Sequence, residues 1–159
     1  MNWFAIFGKW FWAIGIFFSF LNARTFQSRA RPHIQAHPEL EEGYRTLIKG
    51  YLTWGNLPLV VMGVGCTFGG VPTFFDFFRP HDRNPFVLAF YFSILLVWIL
   101  GTNWLLFRGG AEMLVKHPGF LNIYFKSPRS IVLLWFLSIA GGVFAFIMLS
   151  SGDIPLPPH

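Results

Sequence analysis

Two stretches of the chain, Phe86 to Phe107 and Ser130 to Gly152, contain no Asp, Glu, Lys or Arg. About 20 apolar residues in a row suffice to cross the hydrocarbon core of a bilayer as an α-helix. Both stretches are therefore predicted to span, at about 86–107 and 130–150. Composition agrees: of 159 residues, 54% are hydrophobic and 20% aromatic against 12% charged, more apolar surface than one small soluble core can bury.

Two further spans are expected nearer the N-terminus. Gly50 to Phe75 is also uncharged and begins with Tyr51 and Trp54, which suit a membrane interface, so a span is predicted at about 51–71. The first segment, about 3–23, is apolar except for Lys9, whose stem can snorkel to the headgroups beside Trp3, Trp10 and Trp12. It does not have the form of a cleavable signal: Arg24, Arg29 and Arg31 follow the apolar region instead of preceding it, and Leu21 spoils the small-residue pattern ending at Ala23. The expectation is one all-α integral membrane domain of four transmembrane helices, arranged as two helical hairpins.

Charge orients this bundle. The loops 24–50 and 108–129 hold nine Lys and Arg (Arg24, Arg29, Arg31, Arg45, Lys49, Arg108, Lys116, Lys126 and Arg129), while the other side holds three (Lys9, Arg79 and Arg83). The positive-inside rule places both loops in the cytoplasm and both termini outside. The membrane expected is a bacterial inner membrane or a derived organellar one. The net charge of +5 is thus mainly a topology signal. No nucleic-acid module accompanies it, and Arg24, Arg29, Arg31, Lys126 and Arg129 are expected to meet anionic lipid headgroups.

The two cytoplasmic loops share a motif. "AHPELEEGY", 36–44, and "KHPGFLNIY", 116–124, match in His, Pro and Tyr at an offset of 80, and Lys49 corresponds to Arg129 at the same offset. A duplication would produce parallel repeats about an axis along the membrane normal. Proline biases the residue before it away from the helical region and suits a helix start, so His37 and His117 are expected just outside helices, with Tyr44 and Tyr124 as interfacial anchors. The sharper alternative is a metal or acid–base cluster from His33, His37 and His117 with Glu39, Glu41 and Glu42. Pro32 and Pro38 weaken it, and no HExxH pattern supports it. No histidine lies inside a span to hold a haem. Cys66 is the lone thiol and is expected to pack as a small residue. No metal, no catalytic residue and no cofactor-binding motif is assigned; contact with lipid or a hydrophobic cofactor stays open.

Inside the spans the informative residues are small or polar. Gly65 and Gly69 in the second, and Ser138, Gly142, Gly141 and Ala145 in the fourth, recur at the interval that lets helices approach closely. Asn56 beside Pro58, with Thr102 and Asn103, is expected either to stitch a kinked helix to its neighbour or to form a polar pocket open to the cytoplasm. On the outer side, the loop 72–85 carries Phe74, Phe75, Phe77 and Phe78 around Asp76, rings suited to the interface or to a partner. The tail 151–159 is Pro-rich and expected to be extended.

Three functions fit these residues. The first is a non-catalytic accessory or assembly subunit packing against a larger membrane complex, or self-associating, since the soluble loops are short and no deep charge serves as a relay. The second is an oligomeric binding or transport protein for a lipidic or small solute. The third is a membrane enzyme using the loop histidines and glutamates.

Overall fold

A computed structural model describes residues 3–78, 84–120 and 125–150, and every regular element among them is helical. Helix α1 (Trp3–Ala36) is followed by a 3-10 turn (Pro38–Leu40), α2 (Glu41–Trp54), α3 (Leu57–Phe68), a second 3-10 turn (Phe74–Phe78), α4 (Pro85–Phe107), α5 (Gly110–Lys116) and α6 (Pro128–Ser150). Three stretches, Ile6–Ala36, Pro85–Phe107 and Pro128–Met148, are long and apolar enough to cross a membrane. Arg79, Tyr124 and the tail 151–159 lie outside the described residues.

Helix α1 does not stop at the expected boundary near residue 23. Ala23, Phe26, Ala30 and Ile34 recur every three or four residues and pack into one core cluster, so an apolar stripe carries the helix on beyond that boundary. It ends where Pro38 forces His37 into an extended conformation (φ −140°, ψ 79°). Most of the expected loop 24–50 is therefore helical, with only His37 to Leu40 joining α1 to α2.

The expected second span, 51–71, is divided between α2 and α3 at Gly55 and Asn56. Pro58 has no N–H to donate and occupies the first turn of α3, where none is required. The break is narrow: Gly55 N still reaches the Tyr51 carbonyl at 3.1 Å, and Val60 N reaches that of Asn56 at 2.9 Å. With 14 and 12 residues, neither half alone has the length of an ordinary span.

Small residues set the spacing of the helices. Trp12 covers Gly63, Leu59 covers Gly15 and Thr73 covers Gly8, while the Phe26 and Tyr51 rings meet at 5.2 Å. Rising numbers on α1 thus meet falling numbers on the segment 51–73, and the two run in opposite senses. The same holds for α4 and α6: Tyr91 meets Phe146 at 4.8 Å, Trp98 covers Gly142, and the Trp135 indole N–H donates to the Thr102 hydroxyl at 2.9 Å.

Two principal cores form, one toward each end. Toward the loop after α3 lie Met62, Cys66, Val71, Phe77, Val87 and Phe90, with Phe11, Trp12 and Phe86 against them. At the other end Ala23, Ala30, Tyr44, Leu47, Ile48 and Phe120 pack together. A smaller cluster of Leu105, Ala111 and Ile131 joins α4, α5 and α6. Large apolar side chains such as Phe17, Phe92, Leu133 and Phe144 face outward along α1, α4 and α6, the pattern of a chain whose lateral solvent is hydrocarbon.

The phenylalanine loop is more structured than its length suggests. The Asp76 carboxylate accepts from Thr73 N at 2.9 Å and from its hydroxyl at 2.8 Å, while Asp76 N donates back to the Thr73 carbonyl at 3.1 Å. This reciprocal cap fixes the 3-10 turn. Phe77 is completely buried beneath it, whereas Phe74, Phe75 and Phe78 stay partly exposed. Asn84 closes the loop, accepting from Phe86 N at 2.9 Å and donating to the Gly69 carbonyl at 3.1 Å.

Candidate functional site at the joined loops

The two His-Pro loops meet. Helix α5 ends as α1 does, with a histidine before a proline in an extended conformation: His117 has φ −114° and ψ 72°. Gly119 then turns the chain with φ +82°, a region open to glycine at little cost. These two constraints fold the segment 117–120 back over α1 and α2.

His117 is the buried centre of the junction, 7% exposed. Its Nδ1 donates to the Met113 carbonyl at 2.6 Å, and its Nε2 has no hydrogen-bond partner among the described residues. The ring lies over Gly43 so closely that a Cβ there would sit 1.9 Å from Nε2. Tyr44 meets the ring edge-on, with centroids 4.8 Å apart, and its hydroxyl donates to the Pro118 carbonyl at 2.6 Å. Phe120 reaches Phe26 at 4.9 Å, and Gly119 lies against Arg29 and His33 of α1. The tyrosine of the first motif thus holds the histidine and proline of the second.

This crosswise contact makes the two motifs unequal. His37 is exposed and pairs with Glu39 at 3.1 Å, whereas His117 is enclosed. Tyr44, expected as an interfacial anchor, is instead nearly inaccessible, because its ring is shared between α2 and the second loop. Tyr124 falls outside the described residues. His33, His37 and His117 are not gathered: among the described residues no three of His, Cys, Asp or Glu could hold one metal ion. Among the described residues no carboxylate or hydroxyl hydrogen-bonds His117; its ring packs on Gly43 and Tyr44 and joins the two loops. Gly43 was missed in the sequence because nothing periodic marks it; its one signal is a glycine inside the first turns of a helix, where alanine would favour the helix more.

The remaining site residues separate by helix face. Gly65 and Gly69 do admit close neighbours, the rings of Phe77 and Phe86. Gly142 receives Trp98, while Gly141 faces open space and Ser138 and Ala145 are exposed. Helix α6 meets α4 along Ile131, Trp135, Gly142 and Phe146, and α4 does not cover the other three small residues. Asn56 is buried and donates to the Leu52 carbonyl at 2.8 Å, with its Oδ1 unpartnered among the described residues. Thr102 turns to Trp135 and Asn103 lies exposed, and no hydrogen bond joins these three among the described residues.

Arg24, Arg29, Arg31, Lys126 and Arg129 are all exposed. On the continuous helix α1, however, Arg31 lies seven residues, or roughly 10 Å, beyond Arg24, so the two do not share one depth. Trp3 and Trp10 are exposed near the start of α1. Comparison with protein-family models, with curated proteins and with solved structures finds no match to this chain.

Proposed function

We propose that the protein is a small non-catalytic integral membrane protein with four crossings in two helical hairpins, both termini outside, acting as an accessory or assembly subunit against a larger membrane complex. The observation that carries this is how polar groups are disposed. Ser19, Thr67, Ser93 and Ser138 bond carbonyls of their own helices, Asn56 bonds Leu52, and Thr102 receives Trp135. These six groups are thus used internally, while large apolar rings face outward. Such a chain has more surface for contact than interior for chemistry.

The fourth crossing rests on the register between α1 and the divided segment. From Phe26 to Gly8, α1 advances 18 residues, or about 27 Å, close to the thickness of the hydrocarbon core. Tyr51 to Thr73 accompanies it over that whole distance, so the broken helix covers the same depth as an unbroken one. Proline and glycine are tolerated in a crossing helix when neighbours and side chains satisfy the freed backbone groups, as Asn56 does for Leu52.

Extraction of the native membrane in mild detergent, followed by mass spectrometry of the species that co-migrates, tests the role. A fixed ratio to one or more larger membrane subunits is expected. A chain that migrates with no other protein, and whose melting temperature rises with an added lipidic or small solute, would replace this reading with solute binding.

A further inference from the structure

The joint between the two loops contains a buried basic atom that the fold leaves unused. Because the Met113 carbonyl can only accept, the ring hydrogen of His117 sits on Nδ1, and Nε2 keeps a bare lone pair. That nitrogen is sealed from solvent and has no hydrogen-bond partner among the described residues. A proton on it would add a donor and a positive charge to a space closed by Gly43, and burying an unpaired charge costs far more than burying an unpaired lone pair. The surrounding groups do not offset such a charge. Helix α2 contributes Gly43 and the Tyr44 ring, whose hydroxyl already donates to the Pro118 carbonyl. Helix α1 brings Arg29 and His33 against the neighbouring Gly119, a cation and a second basic ring. Glu112 and Lys116 of α5 are exposed, as are Glu39, Glu41, Glu42 and Arg45, and none of these carboxylates hydrogen-bonds the imidazole.

We propose that the joint is a proton-operated latch, closed while His117 is neutral and released when Nε2 takes a proton from water. With the segment 117–120 lifted, the imidazolium can be hydrated; in the closed joint it cannot. The open form therefore binds the proton more readily, and lowering the pH favours it. Closure is complete on the alkaline side of the histidine range and is lost as the pH falls. Release breaks the Tyr44–Pro118 bond and lifts Phe120 from Phe26. It parts α1 and α2, which supply Ala23, Ala30, Tyr44, Leu47 and Ile48 to the shared core, from the second loop, which supplies Phe120. None of this depends on the accessory role or on the number of crossings.

The test uses the full chain in detergent micelles with Cys66→Ser and spin labels on Ser28→Cys of α1 and Lys116→Cys of α5, exposed positions on either side of the joint. Separations are measured by electron spin resonance from about pH 8 to about pH 5, the interval in which histidine ordinarily changes charge. One short separation is expected at the alkaline end, giving way to longer ones, with the ratio of open to closed chains rising by up to about tenfold per pH unit, the slope of a single proton. The response should survive His33→Gln, His37→Gln, His81→Gln and His159→Gln together, which leave His117 as the one histidine in the chain. Adding His117→Phe, which keeps a flat ring but takes no proton, should abolish the response and hold the short separation throughout; His117→Gln repeats this with a smaller side chain. The result with the other four histidines replaced decides the matter even where neither variant at 117 closes. A separation indifferent to pH, a response lost with the other four histidines, or a response that persists without His117 would each overturn the proposal.

Discussion

Phe77→Ala is expected to cost about 3–5 kcal/mol, the usual range for removing a fully buried phenylalanine. Its ring has no exposed surface and is enclosed by Gly65 of α3 and by Phe90 of α4, whose centroid is 5.1 Å away. The surroundings cannot readily close over the void, because three independent ties hold the loop. Asp76 caps Thr73, Asn84 bridges α4 to the Gly69 carbonyl, and the Tyr91 hydroxyl donates to the Phe77 carbonyl. Thermal unfolding in detergent should therefore show a large drop for Phe77→Ala. A loss below about 0.5 kcal/mol, the level of an ordinary surface change, would mean that the ring is not in this core.

Gly43→Ala is expected to be the most damaging small substitution at the other end. Alanine in a helix is ordinarily better than glycine by about 1 kcal/mol. Here the added methyl would lie 1.9 Å from His117 Nε2 and 2.4 Å from Cε1, so the ring must leave its site. Forced repacking of a filled core costs about 1–3 kcal/mol, and the displaced ring also gives up its bond to Met113, a further loss of about 1 kcal/mol. The balance is a net destabilisation of about 1–3 kcal/mol. Because the clash is with one side chain, His117→Ala should remove it: Gly43→Ala added to His117→Ala should be neutral or stabilising. Equal losses in both backgrounds would show that Gly43 acts through something other than the histidine.

The class of fold was legible because it depends on the coarsest property of the chain, long uncharged stretches that need a low-dielectric solvent. Helix ends were less legible. Residues 24–36 are polar enough to resemble a loop, yet Ala23, Phe26, Ala30 and Ile34 form a stripe that becomes visible only when its partners Leu47, Ile48 and Phe120 are known. The division of 51–71 was foreshadowed by Gly55, Asn56 and Pro58, although the sequence does not specify whether such a trio bends a helix or splits it.

The joined loops show a different limit. The shared His-Pro-Tyr spacing marks two segments that touch through Tyr44 and His117, and both histidines take the backbone that proline imposes. That Tyr44 would meet His117, from the other loop, is a tertiary fact separated by more than 70 residues. Likewise small residues recur along α6, yet they divide into Gly142, covered by Trp98, and Ser138, Gly141 and Ala145, which no neighbour covers among the described residues. Asn103 and Thr102 are adjacent in sequence and lie on opposite sides of this division, which no composition or spacing argument separates.

The number of crossings is the central claim, and the sidedness of two serines tests it most directly. With Cys66 replaced, single cysteines at Ser28, beyond the membrane end of α1, and at Ser127, just before α6, are labelled with a membrane-impermeant thiol reagent in sealed, oriented vesicles. Four crossings put an even number between these positions, so both should react from the cytoplasmic face and neither from the outside. If the segment 51–73 enters and returns without crossing, only α4 separates them, and reaction of Ser28→Cys and Ser127→Cys from opposite faces would contradict the four-crossing account.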